Sequence, residues 1–337
     1  MTRQITAFDI GDSMVKLVTL SGGQVTNAVS LDLPDQVVAG GQIQSMDAMA
    51  DFLREETVKS GIRRSAAAII LPEQEVFTRT VTVPPMTDGQ LQYNLPYEFR
   101  DYLTQDKSKY FFDYAVQDII RDEAGQPTEM RLFVCATLKE TINRYRDMFR
   151  RAGFRLRAAV PQEYATGALV SDYMQRIGQQ EGDYCLVDIG HRSIRIDIFR
   201  NGEFQIRRSV EMGLGDLEEI ISRERGVDIH MAHTHLLTDY RGALSEDSSL
   251  SLYSQMAIEI MKSVNFYNYN NRDQSLHRVY LCGGGAEVEP LRDTIDRVTH
   301  LEIHSAAELI PGSDNIDRPW LYVRAAGCAL ESIGGGI

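Results

Sequence analysis

The strongest constraint on this chain is that it says nearly the same thing twice. Ala7-Phe-Asp9-Ile-Gly11-Asp12-Ser13-Met14-Val-Lys16-Leu-Val18 is matched by Leu186-Val-Asp188-Ile-Gly190-His191-Arg192-Ser193-Ile-Arg195-Ile-Asp197. In each copy an apolar strand runs into Asp-Ile-Gly, turns tightly and returns as a second strand. Lys16 and Arg195 stand at the same offset from their aspartates, and Gly23 and Gly202 at a second shared offset. Asn201-Gly202 favours positive φ and closes a hairpin. Each copy therefore predicts a three-stranded meander at the head of one half of a duplicated α/β chain.

The intervening sequence supports two lobes. Met46 to Ser60 predicts a helix, Ala66 to Leu71 and Val76 to Val83 strands, and Gln90 to Leu103 a helix that Pro96 should kink or restart. Phe112 to Ile119 and Glu129 to Cys135 predict strands. Thr137-Leu-Lys-Glu140 reads as a capping box for a helix with Tyr145 and Met148 on one face, stopped at Gly153. A helix from Gln162 to about Arg176 precedes the polar linker Gly178 to Gly182. Further on, Asp216-Leu-Glu-Glu219 reads as a cap signature, Ser245 to Ser249 as a polar loop, and Leu252 to Tyr267 as a long helix at near-fourfold apolar spacing. The strand Val279 to Cys282 enters Gly283-Gly284-Gly285; helices are expected from Glu289 and from Trp320. The division expected is a first lobe over 1–177, with core 1–84 and 156–177 plus a final helix over about 319–333, and an inserted α+β subdomain over about 85–155. The second lobe spans 178–318, with core 183–214 and 251–318 and a subdomain over about 215–250.

Composition narrows the function. The 337 residues are 43% apolar and 25% charged with a net charge of −13, which fits a folded globular chain and disfavours nucleic acid as a partner. No apolar run approaches the roughly 20 residues of a membrane span, and no signal-peptide pattern opens the chain. Cys135, Cys185, Cys282 and Cys328 are scattered in apolar stretches, as reduced core thiols of a cytosolic protein would be.

An Asp-x-Gly hairpin at the lip of a cleft suits phosphate chemistry. Glycine lets backbone come close, while the carboxylate must face a cation such as hydrated Mg²⁺. Two such hairpins would clamp a polyphosphate from both sides. The strand–Gly283-Gly284-Gly285–helix stretch adds a backbone platform and a helix N-terminus.

These segments resemble, in order, the motifs of the actin/Hsp70/sugar-kinase superfamily. Asp9 to Lys16 resembles the first phosphate motif, Asp188 to Ser193 the second, and Leu281 to Ala286 the adenosine motif. Glu163 to Leu169 and Ala325 to Leu330 resemble the two connecting helices, and Glu259, Lys262 and Ser263 fall where the adenine-side residues lie. The resemblance implies ATP and Mg²⁺ as ligands, with Asp9 and Asp188 holding the metal through water and Glu163 positioning an attacking water. Gly11, Asp12, Ser13, Met14, Lys16, Gly190, His191, Arg192, Ser193, Gly213, Glu259, Lys262, Ser263, Gly283, Gly284 and Gly285 would contact the nucleotide. Asp12, His191 and Arg192 replace small residues of the family pattern, which points to ATP binding with weak or no hydrolysis.

Within the superfamily, Val83-Pro-Pro-Met86 through Tyr114, Ala152-Gly-Phe154 through Glu163, and Glu259 to Tyr269 resemble the PilM family of type IV pilus assembly proteins, relatives of FtsA. That implies a cytoplasmic ATP-binding adaptor, recruited to the inner face of the cell membrane by the N-terminal cytoplasmic peptide of a PilN-like single-pass protein, without membrane insertion of its own. Self-association is a further partner reading. The alternatives are a small-molecule kinase, a filament-forming actin-like protein, FtsA itself and a nucleotide-independent scaffold with a degenerate site. Ser332 to Ile337 is too short and glycine-rich for an FtsA-type membrane tail. His230-x-x-His233 has helical metal-ligand spacing but no acidic or cysteine partner in sequence, so an exposed helix face is expected there.

Overall fold

The computed structural model describes residues 4–34, 36–271 and 275–334; the end of the glycine-rich tail, 335–337, lies outside them. β1 (Gln4–Ile10), β2 (Met14–Ser21) and β3 (Gln24–Asp32) form the first meander. A small hairpin, β4 (Val38–Ala39) and β5 (Gln42–Ile43), leads to α1 (Met46–Lys59). The Ser45 hydroxyl caps α1 by accepting from the Ala48 N–H at 3.2 Å;. β6 (Ala66–Leu71) returns to the sheet beside β1. β7 (Phe77–Val83), α2 (Asp88–Glu98), β8 (Tyr110–Arg121) and β9 (Pro127–Leu138) make a separate three-stranded sheet, order β7-β9-β8, backed by α2. α3 (Lys139–Ala152), β10 (Arg155–Pro161) and α4 (Gln162–Ile177) complete the first half.

The second half repeats the plan. β11 (Asp183–Ile189), β12 (Ile194–Arg200) and β13 (Glu203–Val210) are followed by α5 (Leu214–Arg225), α6 (Ile229–Thr238) and α7 (Asp247–Asn270). β14 (Arg278–Cys282), α8 (Glu289–Thr299) and β15 (Glu302–Ser305) follow, and α9 (Val323–Gly334) ends the fold.

The duplication is visible in the sheet orders. The first sheet runs β10-β6-β1-β2-β3 and the second β13-β12-β11-β14-β15. Read from its meander, each has strands 3-2-1 antiparallel and then two parallel strands. This is the actin-like duplicated α/β fold, two sheets around a cleft. One apolar core lies between the sheets and encloses α4 and α9 (Leu169, Val170, Ala326, Ala329). The outer face of the first sheet is covered by α1 and α3, and that of the second by α5 to α8.

Several local expectations need correction. Thr137 does not cap α3: it lies in β9 and its hydroxyl donates to the Glu75 carbonyl at 2.7 Å, so Leu138 stands at the cap. Asp216 is not the cap of α5 but its third residue, reaching back to accept from the Gly213 N–H at 2.7 Å. Ser245 to Ser249 is not all loop. α7 begins at Asp247, and the buried Ser249 donates to the Ala243 carbonyl at 2.9 Å. α2 runs through Pro96 but stops at Glu98, short of Leu103, and Arg79 donates to the Glu98 carbonyl at 2.7 Å.

Candidate functional site: a cleft between two matched hairpins

The two Asp-Ile-Gly turns have the same local structure. The Gly11 N–H donates to the Met14 carbonyl and the Gly190 N–H to the Ser193 carbonyl, both at 3.0 Å. Asp9 is paired across the strands with Lys16, and Asp188 with Arg195. The shared offset seen in sequence is thus a cross-strand pairing of acid with cation. The two glycine N–H groups are used inside the hairpins and are not free to meet a phosphate.

Both turns open onto one cavity of about 520 Å³ between the halves. Asp9, Gly11, Asp12, Ser13, Met14, Lys16, Asp188, Gly190, His191, Arg192, Ser193 and Gly284 line it. The other expected contacts do not. Gly283 and Gly285 instead let backbone pack under the site. Gly283 has φ +78°, and a Cβ there would collide with the Asp188 carboxylate;. Gly213 likewise packs on the carbonyls of Gly190 and His191. Glu259, Lys262 and Ser263, expected against nucleotide, are not among the residues that line the cavity. Glu259 is paired with Arg208 and Lys262, each at 2.7 Å, and the Ser263 hydroxyl donates to the Glu259 carbonyl. That side of the cavity is instead walled by Leu214, Leu237, Val288 and Arg318, the last ion-paired with Glu287.

Glu163 of α4 stands apart as well. It does not line the cavity. Arg207 donates to its Oε1 at 2.8 Å and to both oxygens of Asp197 at 2.7 Å, so one carboxylate oxygen of Glu163 is held in a buried ion pair. Burial raises its carboxyl above the ordinary range and Arg207 opposes this;. Its neighbour Gln162 is the residue of α4 that faces the cavity.

The floor of the cavity holds a residue that the sequence reading did not select. Arg324, near the start of α9, donates through Nε to Asp9 Oδ2 at 3.1 Å, and its Nη2 lies 3.0 Å from the same oxygen. Its Nη1 is 3.6 Å from Asp188 Oδ2. With its amide oxygen turned toward them, Gln162 accepts from Arg324 Nη1 at 3.1 Å and from Arg195 Nη1 at 3.2 Å. Burial alone would raise the Asp188 carboxyl, yet Arg324, Arg195 and Lys16 hold it below the ordinary range. Arg195 is pushed down, first by the positive charge of Arg324 and then by burial.

The expected Mg²⁺ does not fit this arrangement. One guanidinium already bridges the two acids assigned to the metal, and Lys16 and Arg195 flank it. Among the described residues no group of three or more His, Cys, Asp and Glu side chains could hold a metal ion. His233, one of the two histidines at helical spacing, bonds Glu218 at 2.8 Å instead.

The three replaced positions each have a partner or a place. Asp12 accepts from the Gly41 N–H at 2.7 Å. His191 Nε2 lies 3.2 Å from Glu218. Arg192 lines the cavity near Gly40 on the opposite half.

The model of the family described as type IV pilus assembly protein PilM matches residues 7–317. The chain belongs to the PilM family. Among solved structures, this PilM-family fold is similar to the PilM–PilN type IV pilus biogenesis complex at 19% identity and a TM-score of 0.77, with 98% of each chain covered. It is also similar to the ethanolamine utilization protein EutJ from Carboxydothermus hydrogenoformans, at 15% identity and a TM-score of 0.61 over 97% of this chain and 89% of that one. MreB5 of Spiroplasma citri bound to ADP matches at 12% identity and a TM-score of 0.50 over 99% of each chain. No curated protein matches the sequence. No helix among the described residues is long and apolar enough to cross a membrane.

Proposed function

We propose that the chain is an ATP-binding adaptor of type IV pilus assembly, in which nucleotide serves as a structural ligand and the N-terminal cytoplasmic peptide of a PilN-like protein is the partner. The adaptor works in the cytoplasm and reaches the inner face of the membrane through that partner. The observation that carries this reading is the position of α4 between two cavities. Gln162 faces the interlobe cleft, and the next residue, Glu163, faces a second groove of about 460 Å³.

That groove lies between the β8–β9 face of the inserted subdomain, α4 and the β12–β13 turn. Its walls include Val116, Phe133, Tyr164 and Phe204, with Tyr164 stacked on Phe133 at 5.3 Å. Mixed apolar and polar walls, with the acids Glu163, Asp172, Glu203 and Glu331 among them, suit an extended peptide;. Arg207 ties Glu163 to Asp197 of β12, fastening the α4 wall of the groove to the second half. The engagement of Glu163 favours binding over turnover.

The test is fluorescence anisotropy with a labelled N-terminal peptide of the PilN-like partner. Val116 is 46% exposed, so Val116→Arg leaves the core intact. The peptide should bind the wild type and lose affinity about tenfold or more for the variant, since a charge is left desolvated in the interface. Equal binding to both proteins would remove the groove from the proposal.

A further inference from the structure

We infer that this chain binds its nucleotide without a divalent metal, Arg324 standing where the metal's charge would be needed. The inference rests on the nucleotide reading of the cleft and specifies its counter-ion. A triphosphate in the cleft brings up to four negative charges toward Asp9 and Asp188, and two carboxylates facing it need an intervening cation. Mg²⁺ would supply two charges and bind oxygen ligands. Here the guanidinium of Arg324 supplies one, bonds Asp9 at 3.0 and 3.1 Å, and reaches Asp188 at 3.6 Å.

Charge bookkeeping on the floor favours an anion over a second cation. Asp9 and Asp188 contribute −2; Arg324, Arg195 and Lys16 contribute +3. These sum to +1, which a metal ion would raise to +3 against three cations that already repel one another. A phosphate lowers the sum and gives Lys16, and Arg195 beyond its 3.9 Å contact with Asp188, a further anionic partner. The remaining acids of the lining have partners of their own: Asp12 the Gly41 N–H, Glu73 the guanidinium of Arg207 at 3.8 Å, Glu218 the two imidazoles, Asp239 the Leu244 N–H, Glu287 the guanidinium of Arg318. Guanidinium suits this place because its planar fork can hold a carboxylate on one edge and present further N–H groups to phosphate on another.

The position of Arg324 follows from packing. α9 lies against β1 and β2, and its glycine, Gly327, sits so close to Ala165 of α4 that a Cβ would collide with the Ala165 carbonyl. That approach sets the start of α9 between the two hairpins. The backbone of Arg324 is therefore placed by the interlobe architecture, within reach of both acids.

The experiment is calorimetric titration of the full chain with ATP, once in EDTA and once in excess Mg²⁺, on the wild type and on Arg324→Ala. The wild type should bind ATP in EDTA with an affinity within about threefold of that in Mg²⁺. Arg324→Ala should lose about tenfold or more in EDTA, the loss expected for charge-assisted bonds, and Mg²⁺ should restore part of it. Wild-type binding that appears only with Mg²⁺ overturns the inference while keeping the nucleotide reading; no binding in either buffer overturns that reading itself. If the alanine variant does not fold, Arg324→Lys takes its place, since one point charge cannot bridge both acids. A larger response of that variant to Mg²⁺ than the wild type's supports the inference, and an equal response overturns it.

Discussion

Arg207 of β13 donates to Glu163 of α4 at 2.8 Å and so fastens a strand of the second half to a helix of the first. The same guanidinium is held by both oxygens of Asp197 at 2.7 Å, and all three side chains are about 9% exposed. Removing one member of a buried ionic set leaves the others desolvated and unpaired, at a cost of about 3–5 kcal/mol. Arg207→Ala should lower the unfolding free energy by about that amount in urea titration. Glu163→Gln, which keeps an acceptor for Arg207, should cost less. If the two variants are equally stable, Arg207 is not the center of this contact.

The crossing of α4 and α9 makes a prediction of opposite sign to helix propensity. Alanine is favoured over glycine within a helix by about 1 kcal/mol. At Gly327, however, the added methyl meets the backbone carbonyl of Ala165, which cannot rotate away. Overpacking of this kind costs about 1–3 kcal/mol. Gly327→Ala should therefore lower the melting temperature, and a rise would mean that the helices sit farther apart than described.

These two contacts mark what could and could not be read from the sequence. The fold was legible because each Asp-Ile-Gly segment carries its own strand periodicity, its turn and a cation in register, so the duplication survives without any tertiary information. Arg195 could have been selected as a site residue on that ground alone, as the counterpart of Lys16. Arg324 left a subtler signal: it is the one charge in the apolar run from Leu321 to Leu330, and a charge in such a run needs a partner. Its partner, Asp9, lies 315 positions away in the chain, and nothing local names it. Glu163 and Gln162 show a second limit. Adjacent helical residues point about 100° apart, so the motif marks the helix while the side chain facing the cleft is its neighbour.

The placement of Glu259 outside the cavity has a direct consequence. Its carboxylate is occupied by Lys262 and Arg208 on the outer side of α7. Glu259→Ala should leave ATP affinity within about twofold of wild type, as expected for a remote surface change. Gly284 lines the cavity, and a Cβ there already lies 3.1 Å from Leu214 Cδ1. Gly284→Val should therefore reduce affinity about tenfold or more by filling the space beside Leu214. Calorimetry with both variants decides the matter: loss in Glu259→Ala together with retention in Gly284→Val would place the base on α7 after all.

The His191–Glu218 contact ties the second hairpin to α5 and should give it a dependence on pH. The bond to Glu218 raises the His191 imidazole above its ordinary value; burial opposes this, while Asp12 adds to it and Arg192 subtracts. Glu218 is held below the ordinary carboxylate range because the bonds from His191 and His233 outweigh the effect of burial. A raised folded-state value for the histidine means that its contribution is full below the unfolded value of about 6.5 and is lost as pH climbs through the folded one. A lowered value for the glutamate means that its contribution is present above about 4.3 and is lost as pH falls through its own folded value. The contact is therefore strongest between those limits and weakens on the alkaline side. His191 is 43% exposed, so solvent screening keeps the effect modest;. Melting temperatures of the wild type and His191→Ala, measured from pH 5.5 to about 8.5 to span the histidine titration, should differ most at the acidic end and converge as pH rises. A difference that stays constant across the range would show that His191 is held by packing and not by its charge.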